Sequence, residues 1–212
     1  MKVIECEHRS PEWFAARAGR VTASKIADLT ARTKSGWGAS RTNYLAELVA
    51  QRLTGDIPEG FTNAAMQWGT DMEPEARSAY QFMTDNAVTE VGFVVHPTID
   101  ASGCSPDGFV HADGMVEIKC PNTATHIDTL LGAPIADKYV KQMQWQMACC
   151  ERAWCDFVSY DPRLPAHMAL FIQRVQRDDT LIASLEHDVQ EFLGEVDARV
   201  AALITRYGKA AA

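Results

Sequence analysis

No stretch of this sequence approaches the roughly 18 consecutive apolar residues of a membrane-spanning helix, and residues 1–10 alternate charged and apolar side chains where a signal peptide would be apolar. A soluble cytoplasmic protein with no membrane partner is expected. The six cysteines, Cys6, Cys104, Cys120, Cys149, Cys150 and Cys155, lack the paired C-x-x-C spacing of a zinc ribbon and the regular spacing of an iron–sulfur cluster. They are also too sparse for a secreted disulfide framework, so reduced thiols are expected. No glycine-rich loop ends in Gly-Lys-Ser or Gly-Lys-Thr, which excludes an ATP motor of that type. The six histidines never form H-E-x-x-H, and His111 and His126 read as incidental. Positive charge is in short supply too: 20 Lys and Arg against 28 Asp and Glu leave a net charge of −8. A uniformly basic nucleic-acid-binding surface is therefore excluded, although a local basic channel is not.

What is present suits one well-filled α/β domain over 1–208, with a flexible tail at 209–212 and no internal repeat. Arg17, Arg20, Lys25, Arg32, Lys34 and Arg41 fall early while 178–195 is mostly acidic, a division that suggests one DNA-facing surface and one solvated back. Ser10-Pro11 marks a helix start and Gly19 its stop. Ser40 can cap a helix with the apolar face Leu45, Leu48, Val49 and Leu53, ended by Gly55. A third helical stretch carries Trp68, Met72, Ala76, Tyr80 and Met83, with Pro74 kinking or restarting it. The period then changes. Residues 88–96, 107–111, 115–120, 154–160 and 168–176 read as mostly antiparallel strands, with helices at about 135–151 and 180–207. Trp145 and Trp154 read as core residues.

Chemistry concentrates between Cys104 and Cys120. Ala112-Asp113-Gly114 reads as a three-residue hairpin loop with glycine in the left-handed position. That loop pairs 111 with 115, 109 with 117 and 107 with 119, so Asp107, Glu117 and Lys119 share one face. A two-residue turn would move the register by one and send Asp107 to the other side. On the opposite face Val110, Val116, Ile118 and Cys120 form an apolar row for helices to cover. Two convergent carboxylates supply the hard oxygen ligands that Mg²⁺ prefers, and a neighbouring lysine suits a developing phosphorane charge. The same residues on a solvated hairpin would make only a cross-strand ion pair.

Further motifs occur in one order: Trp13-x-x-x-Arg17-x-Gly19-x-Val21-Thr22-Ala23-Ser24, Trp68-Gly69-x-x-x-Glu73-x-x-Ala76-Arg77, Ser105-Pro106-Asp107-Gly108, Glu117-Ile118-Lys119-Cys120-Pro121, Gln142-x-Gln144 and Tyr160-Asp161-Pro162-Arg163. The Pro-Asp followed by Glu-x-Lys resembles the PD-(D/E)XK nuclease signature. The ordered series resembles the phage lambda exonuclease and viral-recombinase family. The resemblance implies a restriction-endonuclease-like fold, a mixed central sheet flanked by helices, and a 5′-to-3′ exonuclease on double-stranded DNA that uses Mg²⁺, with Mn²⁺ as a substitute. By this resemblance Asp107, Glu117 and the Ile118 carbonyl would hold the metal and Lys119 would serve the attacking water, with Glu73 and Gln142 lining the same site. Arg17, Ser24 and Ser105 would bind a 5′-terminal phosphate, a group that a guanidinium and hydroxyls suit. Lys34 falls on a loop that would face DNA. The resemblance also implies a homotrimeric ring around DNA, a single-strand annealing protein as partner and a bacterial host cytoplasm. An endonuclease of the same superfamily and a catalytically silent DNA-binding module are the rival expectations.

Overall fold

The Ser10 side chain accepts a hydrogen bond from the Trp13 amide and Pro11 opens the helix, so the first helix begins where capping chemistry places it. The computed structural model describes residues 1–34, 36–57 and 64–208, and the expected tail lies outside them. In chain order the elements are β1 (Lys2–Ile4), α1 (Pro11–Arg17), β2 (Val21–Thr22), α2 (Ile26–Leu29), β3 (Arg32–Thr33), β4 (Gly36–Trp37), α3 (Ala39–Thr54), α4 (Ala64–Thr84), β5 (Val88–Thr89), β6 (Phe93–Val95), β7 (Ser102–Cys104), β8 (Gly108–Val110), β9 (Gly114–Lys119), α5 (Thr123–Leu130), α6 (Asp137–Cys150), β10 (Trp154–Tyr160), β11 (Leu170–Gln176) and α7 (Asp179–Tyr207). Gly55 ends α3 in the left-handed conformation. The N-cap of α3 is Gly38 and not Ser40, which lies inside the first turn. Pro74 lies within α4, which is assigned as one helix across it.

The main sheet has five strands in the order β11-β10-β9-β8-β5. It is mixed: β9 and β10 run parallel, with α5 and α6 in the crossover, and the other neighbours are antiparallel. Ala76 and Tyr80 of α4 cover one face, packing with Val110, Val116, Ile118 and Val158, so the expected apolar row is present. Met143 and Met147 of α6 cover the other face against Met115, Cys155 and Phe157. This is an α/β layer arrangement with helices on both sides of a mixed sheet. Leu53, expected on the apolar face of α3, is exposed at 39%.

A second sheet, β1-β6-β7-β2, was not anticipated. The expected strand at 88–96 is two strands in two different sheets. Gly92 lies between them, and a Cβ there would stand 2.3 Å from the Ile4 carbonyl oxygen, so the close approach of β1 admits only glycine. Residues 105–107, the link from β7 to β8, carry the chain from the second sheet into the main one.

The hairpin between β8 and β9 differs in register from the expectation. Val110 pairs with Gly114, Phe109 with Met115 and Gly108 with Val116, so the loop is His111-Ala112-Asp113 and all pairings slip by two residues. His111 takes the left-handed conformation, with φ of 53°. Gly114 is needed for a different reason: it lies beside Trp154 of β10, and a Cβ would come within 2.0 Å of the indole ring. A slip of two keeps side-chain parity. Continuing the register one step sets Asp107 opposite Glu117.

The early basic residues do not form an open face. Arg41 is buried and donates to both carboxylate oxygens of Glu195 on α7, Arg32 pairs with Asp188, Arg52 with Asp197, and Lys25 with Glu47 and Asp28. Arg20 donates to the carbonyls of Ala16 and Asp100. Acidic α7 packs on α3 and neutralises much of that charge, so it is not a solvated back. Trp37 lies between the guanidinium groups of Arg32 and Arg41, at 3.8 and 3.9 Å from its ring centroid. His126 is not incidental: it is fully buried, with Nδ1 2.7 Å from Ser159 Oγ and Nε2 2.9 Å from the Met168 carbonyl, pinning α5 to β10.

Candidate active site

Glu117 lies on the face of β9 that meets α6, and it is 1% exposed. A carboxylate there must be compensated by donors. Gln142 Nε2 donates to Glu117 Oε1 at 2.7 Å, Gln146 Nε2 donates to Oε2 at 2.7 Å, and the Lys119 ammonium pairs with Oε1. The two glutamines are one helical turn apart on α6, which aims both amides at the same carboxylate. Tyr139, a turn earlier, places its ring 5.1 Å from Lys119 Nζ.

Asp107 reaches the same place from the link between the sheets. Its Oδ2 accepts the Ile118 backbone N–H at 2.6 Å. Burial, then the neighbouring Glu117 charge, pushes the Asp107 carboxyl well above the ordinary carboxylate range. Glu73 adds to the effect, while Lys119 and the Ile118 N–H oppose it. Burial alone would lower Lys119, but Glu117 and Asp107 outweigh it and hold the ammonium above the usual lysine value. Lys119 is therefore a charged donor and not a base. Cys120 next to it is pushed up to about 12, mainly by burial, so its thiol stays protonated.

Asp107, Glu73, Gln142 and Gln146 line one side of a cleft with about 180 Å³ of free volume. Arg17, Ser24, Ser105 and Trp13 line it as well, together with His8, Arg9 and Ala23. The Arg17 guanidinium stacks on the Trp13 ring at 4.0 Å, and no carboxylate among the described residues pairs with it. Burial lowers its pKa, as expected for a cation that has lost water without gaining an anion. The Trp13 indole N–H donates to Ser105 Oγ at 2.8 Å, which fixes that hydroxyl beside the guanidinium. Ser24 is exposed on a 3₁₀ turn, its Oγ 3.5 Å from Thr22 Oγ1. Glu73, on α4, is bound by Arg77 at 2.9 Å and approached by Arg9 at 3.7 Å.

Of the residues singled out in the sequence, Asp107, Glu73, Gln142, Arg17, Ser24 and Ser105 thus share one cleft, with Glu117, Ile118 and Lys119 directly behind Asp107. Lys34 does not join them: it sits exposed in the turn between β3 and β4. Gln144 lies on another face of α6, where it donates to the Gln176 carbonyl and accepts from the Asp178 N–H. Gln146, His8 and Arg9 were not anticipated. The four-residue spacing from Gln142 was the one signal that could have indicated Gln146. Arg9 has a left-handed backbone, φ 69°, which nothing in its sequence neighbourhood announces.

The cleft suits a cation on the chemistry of its donors. Asp107 and Glu117 repel each other and share one lysine, whereas Glu73 beside them is held by Arg77 and Arg9. Asp107, Glu117 and the Ile118 carbonyl are hard oxygen donors of the sort magnesium takes together with water and phosphate oxygens. Among the described residues no group of three or more His, Cys, Asp or Glu side chains gathers round one point.

Asp107 at the cleft, with Glu117 and Lys119 behind it on a mixed sheet flanked by helices, is an arrangement that suits a nuclease. The matches with known proteins agree. Residues 12–153 match the model of the YqaJ-like viral recombinase domain. An alkaline exonuclease (LHK-Exo) from Laribacter hongkongensis is 53% identical over 95% of this chain and 100% of its own, with a TM-score of 0.87. The structure of LHK-Exo in complex with dAMP matches at a TM-score of 0.88. A phage-related exonuclease from Haemophilus somnus 129PT shares the fold at 16% identity, covering 87% of this chain and 96% of its own, with a TM-score of 0.67. No curated protein matches the sequence. The chain belongs to the YqaJ-like viral recombinase domain family, and no helix among its described residues is long and apolar enough to cross a membrane.

Proposed function

We propose that this chain is a divalent-metal-dependent exonuclease that degrades the 5′-phosphorylated strand of duplex DNA and leaves 3′ single-stranded overhangs. One observation carries the reading: a single cleft lined by Asp107, with Glu117 and Lys119 behind it, also holds the Arg17 guanidinium, with which no carboxylate among the described residues pairs, and the hydroxyls of Ser24 and Ser105. A terminal phosphate held by Arg17 and the two serines would bring the next phosphodiester toward Asp107. A terminal phosphate, which carries more charge than an internal one, rewards a desolvated guanidinium more strongly, so the pocket favours an exonuclease over an endonuclease. The alkaline exonuclease relative supports an exonuclease over an endonuclease.

Asp107, Glu117 and the Ile118 carbonyl would hold the cation, Mg²⁺ with Mn²⁺ as a substitute, which when bound neutralises charge on the scissile phosphate and favours ionisation of water. Gln142 and Lys119 hold Glu117 in place. Lys119, kept protonated by its neighbours, orients the attacking water by donation and offsets the developing negative charge. Glu73, drawn toward Arg77 and Arg9, borders the site as an additional acceptor for water. A homotrimeric ring, an annealing-protein partner, a role in phage-type recombination, action in a bacterial cytoplasm and DNA contact by Lys34 complete the proposal by family resemblance. The test is digestion of three duplexes with and without Mg²⁺: linear with 5′-phosphate, linear with 5′-hydroxyl, and covalently closed circular. The reading expects metal-dependent digestion of the first, slower digestion of the second and none of the third. Cutting of the circle would replace it with an endonuclease, and equal rates on the two linear ends would remove Arg17, Ser24 and Ser105 from the phosphate role.

A further inference from the structure

Gln146 is fully buried, yet only half of its amide is used. Nε2 donates to Glu117 Oε2, while Oε1 has no hydrogen-bond partner among the described residues. The orientation is imposed by chemistry, because the reversed amide would set its oxygen against a carboxylate oxygen and lose the only bond it makes. A buried carbonyl without a donor costs free energy that a well-packed helix has no reason to bear. Gln146 also lines the cleft beside Asp107 and Gln142, so a missing donor could approach from that side.

The lone pairs of Glu117 indicate which donor. Oε1 already takes Gln142 and Lys119, whereas Oε2 takes Gln146 alone. Each carboxylate oxygen accepts about two partners, so the remaining position on Glu117 is at Oε2, next to the unpartnered Gln146 oxygen. A cation bound there would bring its own water, a donor, within reach of that oxygen.

We infer that Gln146 is a positioning residue of the cation site: its Nε2 fixes Glu117 Oε2, and its Oε1 accepts a hydrogen bond from a water in the cation's coordination shell. The inference rests on the proposed nuclease reading and adds a residue to it. Outer-shell partners of this type typically change metal affinity about 10- to 100-fold when removed. Gln144 is the natural contrast, an equally buried amide on the same helix whose two bonds both go to protein backbone away from the cleft.

The experiment measures Mn²⁺ binding by calorimetry on the full chain without DNA, thermal melting, and kcat and KM on 5′-phosphorylated duplex, for wild type, Gln146→Met and Gln144→Met. Gln146→Met should raise the Mn²⁺ Kd about 10-fold or more and lower kcat while KM for the duplex is unchanged. Gln144→Met should melt earlier and bind Mn²⁺ as wild type does, which separates a structural amide from a positioning one. If Gln146→Met does not fold, Gln146→Asn, which keeps an amide but cannot span from Glu117 to the cleft, should show the same weakened Mn²⁺ binding. Wild-type affinity and kcat in the folded Gln146 variant would overturn the inference and leave the nuclease reading standing. Failure of the wild type itself to bind Mn²⁺ would overturn both.

Discussion

The main sheet buries two carboxylates on adjacent parallel strands, Glu117 on β9 and Asp156 on β10, and gives them opposite surroundings. Asp156 lies on the face covered by α4, where Arg174 of the neighbouring β11 donates to both its oxygens at 2.8 and 2.9 Å and the Tyr80 hydroxyl of α4 donates at 2.7 Å. That charge is matched one for one, and the arginine also stacks on Trp154 at 3.5 Å. Glu117 faces α6, where neutral amides and one lysine serve it while Asp107 stands beside it with its carboxyl pushed upward. Balanced charge closes a site, whereas an excess of negative charge leaves a place for a ligand. The same sheet thus carries a structural carboxylate on one face and a poised pair on the other.

The largest effect expected from this contrast is chemical. Lys119→Ala should reduce duplex cleavage by on the order of 10³-fold while leaving DNA binding close to wild type, and should lower the melting temperature because buried Glu117 loses its paired cation; normal turnover would show that the poised side does no chemistry. Next, Asp156→Ala should cost about 3 kcal/mol of stability, because Arg174 and Tyr80 lose their partner and only part of the arginine can recover water. Denaturant titration measures it, and a change below about 0.5 kcal/mol, the range of ordinary surface substitutions, would remove the structural role. Asp107→Asn should move the other way, stabilising the metal-free protein by about 1 kcal/mol as repulsion with Glu117 is relieved, with activity lost in exchange. A lower melting temperature would contradict the excess of negative charge.

The smallest effect concerns Asp161, an intermediate case at the end of β10. Burial works against its charged form, but hydrogen bonds from Arg163 and Thr123 and the Arg163 charge outweigh it and hold the carboxyl at about 2. A carboxyl lowered on folding stabilises the protein above its ordinary value of 3.8 and loses that contribution as pH falls through about 2. The melting temperatures of wild type and Asp161→Asn should therefore differ at pH 5 and converge near pH 2. Because Arg163 is partly exposed, the gap should be modest. A gap unchanged by acid would exclude the linkage.

Where the sequence carried a strong local signal, it was legible. Capping at Ser10-Pro11, the stop at Gly55, the strand at 154–160 and the long last helix follow from side chains within a few residues of each boundary. The second sheet was not legible, because strands of two or three residues such as Val21–Thr22 and Ser102–Cys104 are too short to show a period. The cleft could be read as a set of residue types and ordered motifs. Its charge balance could not, since whether Arg41 faces a ligand or Glu195 depends on how α3 packs on α7. Gln146 escaped notice for a similar reason: an amide on a helix acquires meaning only when the strand beneath it presents a carboxylate.

The contact between Gly114 and the Trp154 indole extends this dependence beyond the cleft. A single hydrogen atom where other residues carry a methyl lets two parallel strands close, and that closure dictates where the hairpin bends. A larger residue at 114 would be felt first as crowding against an aromatic ring and next as a shift in how the strands are matched. A one-residue shift would turn the aspartate at the far end of β8 to the wrong side. A substitution that looks like a packing defect would then be measured as a loss of catalysis, in a position no inventory of reactive groups would include.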